Sequence, residues 1–198
     1  MSSKLTWLPD YLETVLGWDA HRVGLMVGAG AIANGVVLLV HGLVAQRAAR
    51  RGRPGLLPAG AGAGVLLLLS AAAVSVFATA DADWLRVPTM FGPMALAPVM
   101  MTVGQTACAR ITPPSQRGVV LGAVVCVFAL GGVLAPLVLG GIVDAAATTA
   151  QGYENGWLVT AALLATAGAA TTLFLRPERD AQRLGVPETP PVGVPMAH

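Results

Sequence analysis

Charge is what this chain of 198 residues has least of. Asp, Glu, Lys and Arg make up 11% of it, against 55% hydrophobic residues. A soluble domain carries about 25% charge. No charged residue occurs from Val23 to Gln46, Pro54 to Ala80, Val87 to Ala109, Gly118 to Val143, or Asn155 to Leu175. Five such runs exclude an ordinary soluble core, because too little polar sequence remains to cover them. Cysteine is scarce too. Cys108 and Cys126 fall in or beside apolar runs and read as small buried hydrophobes, not a disulfide or metal pair. The first 16 residues carry Lys4, Asp10 and Glu13 and show no small-residue cleavage pattern, so no cleavable leader is expected.

The missing chemistry narrows function further. Metal or water activation at a membrane face needs clustered carboxylates or histidines. Here the acids are scattered, and the close pair Asp81 and Asp83 has no obvious partner. No catalytic residue, metal site or cofactor is expected. A channel needs a polar filter or charged ring, and none is evident. Nucleic-acid binding is not expected either, since the arginine clusters are better explained by membrane orientation. No carboxylate lies within an apolar run, where one would mark proton coupling. His41 is the titratable side chain within a run, and an interfacial place near the inner end suits it better than a coupling role.

What is present is apolar length. A spanning helix needs about 20 residues at 1.5 Å each. Five crossings are expected, at roughly Val23–Val44, Leu56–Thr79, Val87–Ala109, Val119–Ile142 and Trp157–Leu175. Backbone groups in hydrocarbon must bond internally, so these are helices. No alternation supports a barrel. The fold class is therefore all-α, a polytopic transmembrane bundle with the lipid bilayer as its first partner. Residues 1–22 read as the end of a preceding helix and an external loop. Residues 23–175 form the bundle. Residues 176–198 read as a disordered cytoplasmic tail, stopped by Pro177 and rich in proline. The stretch Leu5–Leu16 is too short and polar to cross. It is either a helix end or an amphipathic segment lying on the outer face.

Loop charge alternates. Arg47, Arg50, Arg51 and Arg53 share one connection, Arg110 and Arg117 another, and Arg176, Arg179 and Arg183 follow the fifth run. Asp10, Glu13, Asp19, Asp81, Asp83, Asp144 and Glu154 occupy the alternate connections. Basic residues favour the cytoplasm. The chain then starts outside and ends inside, as a multi-pass protein of the cell inner membrane. Trp84 and Trp157 fall at the outer border as interfacial anchors, with Trp7, Tyr11 and Trp18 beside them. Gly60 with Gly64 and Gly118 with Gly122 suit close helix contact. Pro88, Pro93, Pro98 and Pro136 suggest bent or broken helices around a cavity. Polar side chains at membrane depth are the pathway candidates: Asn34, Thr102 and Gln105. A buried amide is costly unless paired, so Asn34 should have a helix or ligand partner. Met90, Met94, Met100 and Met101 read as adaptable packing.

Three stretches carry a family likeness. WLPDYLETVLGWDAHRVGLMVGAGAIANG resembles the end of a seventh helix, a short outer loop and an eighth helix. GLVAQRAARR resembles the cytoplasmic glycine and basic cluster that follows, with Gly42, Arg47, Arg50 and Arg51 matching. Gln46 stands where that pattern has an aspartate, which weakens any relay through it. PPSQRGVVLGAVVCVFALGGVLAPLVLGGIVD resembles the loop after a tenth helix and the eleventh helix. Arg117 and Gly118 match the arginine–glycine pair of that loop, and Gly131, Pro136, Gly140 and Gly141 the glycine–proline packing pattern. In order and spacing the chain resembles the carboxy-terminal half of a major facilitator superfamily transporter. The resemblance implies a partial fold of that type, with five full spans plus the end of a preceding helix. It also implies transport of a small-molecule substrate, an organic anion or metabolite, in concert with missing amino-terminal helices or a second half. A truncated, non-transporting membrane protein or packing partner is the alternative.

Overall fold

The computed structural model describes residues 2–50, 59–91 and 93–184, all in helices and short links. Among the described residues eight helices follow in order: α1 Ser2–Thr14, α2 Ala20–Arg50, α3 Ala59–Thr79, α4 Asp83–Phe91, α5 Pro93–Ile111, α6 Arg117–Ala145, α7 Thr149–Phe174 and α8 Pro177–Arg183. Four stretches among the described residues are long and apolar enough to cross a membrane: Ala20–Ala48, Ala61–Thr79, Arg117–Ala145 and Thr149–Phe174. These match four of the five expected crossings. The third apolar run is instead divided between α4 and α5. Pro93 opens α5 at the position where a missing N–H costs least.

Helix α3 is the centre of the bundle. It packs chiefly against α7 and also against α5, while α6 lies on α7 and α2 on α5. Small side chains make this possible: Ala63, Ser70, Ala71, Ala73 and Ala78 of α3 are all buried. The closest backbone approach is at Gly64 and Gly168. A Cβ on Gly168 would lie 3.0 Å from the Gly64 carbonyl oxygen, and one on Gly64 would lie 2.8 Å from the Thr172 backbone nitrogen. A second seam joins α6 to α7. There a Cβ on Gly152 would lie 2.7 Å from Val143 Cα, and Gly156 lies against Leu139. Three residues connect these two helices. Thr148 caps α7, its Oγ1 accepting from the Gln151 N–H at 3.3 Å.

The outer helices are apolar on their uncovered sides. Ile32, Leu39 and Leu43 of α2 are exposed, as are Val127, Leu130 and Leu137 of α6. In water such surfaces would aggregate. In a bilayer they meet acyl chains, which supplies the physical reason for the composition.

Several boundaries differ from the sequence expectation. Helix α2 is 31 residues long, about 46 Å at 1.5 Å per residue, so it outruns a hydrocarbon layer of about 30 Å. Gly42, Gln46, Arg47 and Arg50 therefore lie on its last turns and not in a loop. Arg47 and Arg50 there complement the negative end of the helix dipole. Helix α7 begins at Thr149, eight residues before the expected Trp157 start, because its polar first turns are helical as well. Pro177 starts α8 where a disordered tail was expected to begin; α8 lies against α5. Arg51, Arg53 and residues 185–198 lie outside the described residues, as do the side chains of Gly60, Met90, Met94 and Pro98.

Candidate functional site

The two ends of the bundle differ in charge, and the contacts say which helix ends meet. Arg22, at the start of α2, forms an ion pair with Asp83 at the start of α4, 3.2 Å apart. The start of α2 and the end of α3 are thus on one side. On that side too, the Tyr153 hydroxyl of α7 donates to the Asp10 carboxylate of α1. Leu139 and Val143, near the end of α6, pack on the first turns of α7. Asp10, Asp19, Asp81, Asp83, Asp144 and Glu154 gather at this end by helix position. Arg47, Arg50, Arg110, Arg117 and Arg176 sit at the opposite ends of their helices. At that opposite end the α5–α6 turn is tied locally. Arg117 Nε donates to the Thr112 carbonyl at 3.2 Å, and Thr112 Oγ1 donates to the Cys108 carbonyl at 2.7 Å.

The acidic end holds a packed aromatic cluster. Tyr11 lies with its ring centroid 5.6 Å from Phe77, 5.4 Å from Tyr153 and 6.3 Å from Trp157. Phe77 and Trp157 meet edge to face at 5.6 Å, and Trp7 meets Tyr153 at 6.0 Å. This corrects the interfacial reading of Trp157 and Tyr11. Trp157 is 0% exposed and Tyr11 3%. Both are covered because α1, which packs on α6 and α2, carries Tyr11 against Phe77 of α3 and Trp157 of α7. Trp84, by contrast, is 76% exposed and fits an interfacial place. Trp18 carries the Arg22 guanidinium 3.8 Å above its ring. On α1, outside the four crossing helices, burial pushes the Tyr11 phenol above its ordinary value; nearby Arg86 opposes the shift and Glu154 adds to it. The phenol is therefore neutral at physiological pH.

The pathway candidates lie on two helices, α2 and α5. Asn34 lies at the middle of α2, about 21 Å from its first residue and about 24 Å from its last. Thr102 and Gln105 lie on α5, about 14 Å and 9 Å from its carboxy-terminal end. Helices α2 and α5 pack on each other. Thr102 is exposed, and its carbonyl accepts from Thr106 Oγ1 at 2.8 Å. Gln105 is half-buried. Asn34 is half-buried also, and its Oδ1 is buried with no hydrogen-bond partner. The partner that the sequence argument demanded is not among the described residues. His41 is half-buried on the same helix.

The glycine motifs divide. Gly140 faces Trp7, whose Cζ2 would lie 3.3 Å from an added Cβ, so it joins α6 to α1. Gly42, Gly118, Gly122, Gly131 and Gly141 have open space where a side chain would stand. They make no close helix contact among the described residues, and Pro136 is half-buried. Gly64 does pack closely, as its sequence suggests, whereas Gly152, Gly156 and Gly168, which also pack, were missed in sequence. Gly152 and Gly156 are four apart, the same signal as Gly60 and Gly64, but they precede the expected start of the crossing at Trp157. Among the described residues no group of three or more His, Cys, Asp or Glu could hold a metal ion.

A family model of the Major Facilitator Superfamily matches residues 2–198. No curated protein and no solved structure matches the chain.

Proposed function

The chain belongs to the Major Facilitator Superfamily, and on that premise we propose that it is the carboxy-terminal part of a secondary transporter for a small solute. It is a multi-pass membrane protein and not an enzyme. The observation that carries the proposal is the family match over almost the whole chain, on a bundle whose apolar crossings thread in alternating directions.

Transport in this superfamily rests on two helical halves rocking about a central site. One half alone leaves a face uncovered. The open glycines of α2 and the exposed apolar rows of α2 and α6 are consistent with that. The working transporter therefore includes further helices, from the same protein or a second chain. Its substrate is an organic anion or metabolite. Asn34, Thr102 and Gln105 are this half's polar contributions to the pathway; the unpartnered Oδ1 of Asn34 supports a ligand contact most directly. The basic end faces the cytoplasm and the acidic end the outside, by the preference of arginine for the inner side. Arg117–Gly118 and the end of α2 from Gly42 to Arg50 act at the cytoplasmic side, with Arg51 next in sequence.

The test is uptake of a panel of labelled organic anions into vesicles. The chain is inserted alone or with a complementing amino-terminal half. Uptake that requires both parts supports the reading. Absence of uptake by a correctly inserted pair would sink it, and would favour a non-transporting packing partner.

A further inference from the structure

Two arginines with described side chains stand at the acidic end, and they differ in one respect. Arg22 is fully engaged: Asp83 lies 3.2 Å from its Nη2, the Trp18 ring lies beneath it, and its N–H is held by Asp19 Oδ1 at 3.0 Å. Arg86 is one turn further into α4 and has no such company. No carboxylate among the described residues lies within ion-pair distance of it. Its Nε is buried with no hydrogen-bond partner, while the residue as a whole is only half-buried. Among the described side chains of the same short helix, the exposed ones are Asp83, Trp84, Leu85 and Pro88. Arg86 belongs to the other face, the one turned toward the bundle.

A guanidinium cannot shed its charge. Its Nε, buried without a partner, carries a desolvation cost that a single anion drawn to the guanidinium can offset. The terminal nitrogens, which are not among the buried orphans, present the planar edge that suits an oxyanion with two oxygens. Asp10 is occupied by the Tyr153 hydroxyl. Glu154 acts on Tyr11 electrostatically without reaching Arg86.

We propose that Arg86 is an oxyanion-binding residue at the outer end of the bundle, taking the carboxylate of an organic anion. The inference deepens the transport reading by giving the solute class a specific recognition group. The same chemistry could be met by the phosphate of an anionic lipid, and the test separates the two sources.

The chain is purified into nanodiscs of phosphatidylcholine alone, or of phosphatidylcholine with phosphatidylglycerol. Its thermal unfolding is followed with pentanoate and with the neutral isostere pentanamide. Stabilisation by pentanoate and not pentanamide in pure phosphatidylcholine assigns the site to a solute. Stabilisation by phosphatidylglycerol that is lost in Arg86→Gln assigns the same oxyanion site to a headgroup. In either case Arg86→Gln weakens binding about tenfold to a hundredfold, and Arg86→Lys keeps part of it. Equal response to acid and amide, with no lipid effect, overturns the proposal on the unaltered chain, so misfolding of a variant cannot hide the answer. Binding that survives Arg86→Gln overturns it too. Because the readout is binding, a failure of uptake leaves this result separate from the transport reading.

Discussion

Gly64 and Gly168 touch backbone to backbone at the crossing of α3 and α7. A methyl group on Gly168 would stand 3.0 Å from the Gly64 carbonyl oxygen, and one on Gly64 would stand 2.6 Å from the Gly168 carbonyl oxygen. No flexible side chain alone could relieve that second contact. Gly64→Ala should therefore force the helices apart and cost about 1–3 kcal/mol or more. Gly131→Ala, placed in open space, should be neutral or slightly stabilising in a helix. Thermal unfolding of both variants in the same detergent checks the pair. Equal melting temperatures would contradict the crossing described above.

Trp157 and Trp84 invite the opposite comparison. Trp157 is enclosed by Tyr11 and Phe77, and Trp157→Ala should cost about 3–5 kcal/mol. Trp84 projects outward, and Trp84→Ala should change stability by well under 1 kcal/mol in detergent. Native tryptophan emission should also shift further to the red on unfolding in the protein that retains Trp157.

Asn34 offers a separation of stability from function. Its Oδ1 has no partner, so Asn34→Leu removes a buried polar atom that contributes nothing to the resting fold. Melting should be unchanged or raised, by up to about 1–3 kcal/mol. Uptake by the assembled transporter should fall. A variant that melts earlier would mean that the amide serves the helix packing instead.

Topology can be read chemically. With Cys108 and Cys126 replaced by alanine, single cysteines at Arg50 and Asp81 should react with a membrane-impermeant maleimide from opposite sides. Arg22–Asp83 places Asp81 near the start of α2, while Arg50 closes that helix at its other end. Labelling from one side alone would break the helix map.

The ion pair itself should matter little to stability. Arg22 and Asp83 are both about half exposed, so Asp83→Asn should cost no more than about 1 kcal/mol, and less as salt is raised. A melt at low and high ionic strength measures it.

The spans were legible because lipid imposes so crude a rule. A run such as Val119–Ile142 has no other place to go, and α6 covers it. The break between α4 and α5 was half legible. Pro88, Pro93 and Pro98 announced a disturbance, yet proline can bend a helix or start one, and only tertiary packing chooses. Trp157 was misread because an indole near a polar border suits the interface or a partner helix equally. What decides is α1, whose Tyr11 arrives from a distant part of the chain. Gly152 and Gly156 were readable in principle, but their helix begins in polar sequence where no crossing was sought. For the pathway, Asn34 was visible as a lone amide in an apolar run. Arg86 was not, because arginines near a border are ordinary, and only its lack of company distinguishes it.

The link between α6 and α7 is three residues long, and Gly152 sits almost directly on Val143 across it. So short a connection leaves the two helices no choice of neighbour. During synthesis they would enter the bilayer as a ready-made hairpin, packed together at Gly152 and Gly156 before α3 is engaged. A loop insertion between Ala146 and Thr148 would then act on biogenesis, lowering the yield of inserted protein more than the stability of what is already inserted.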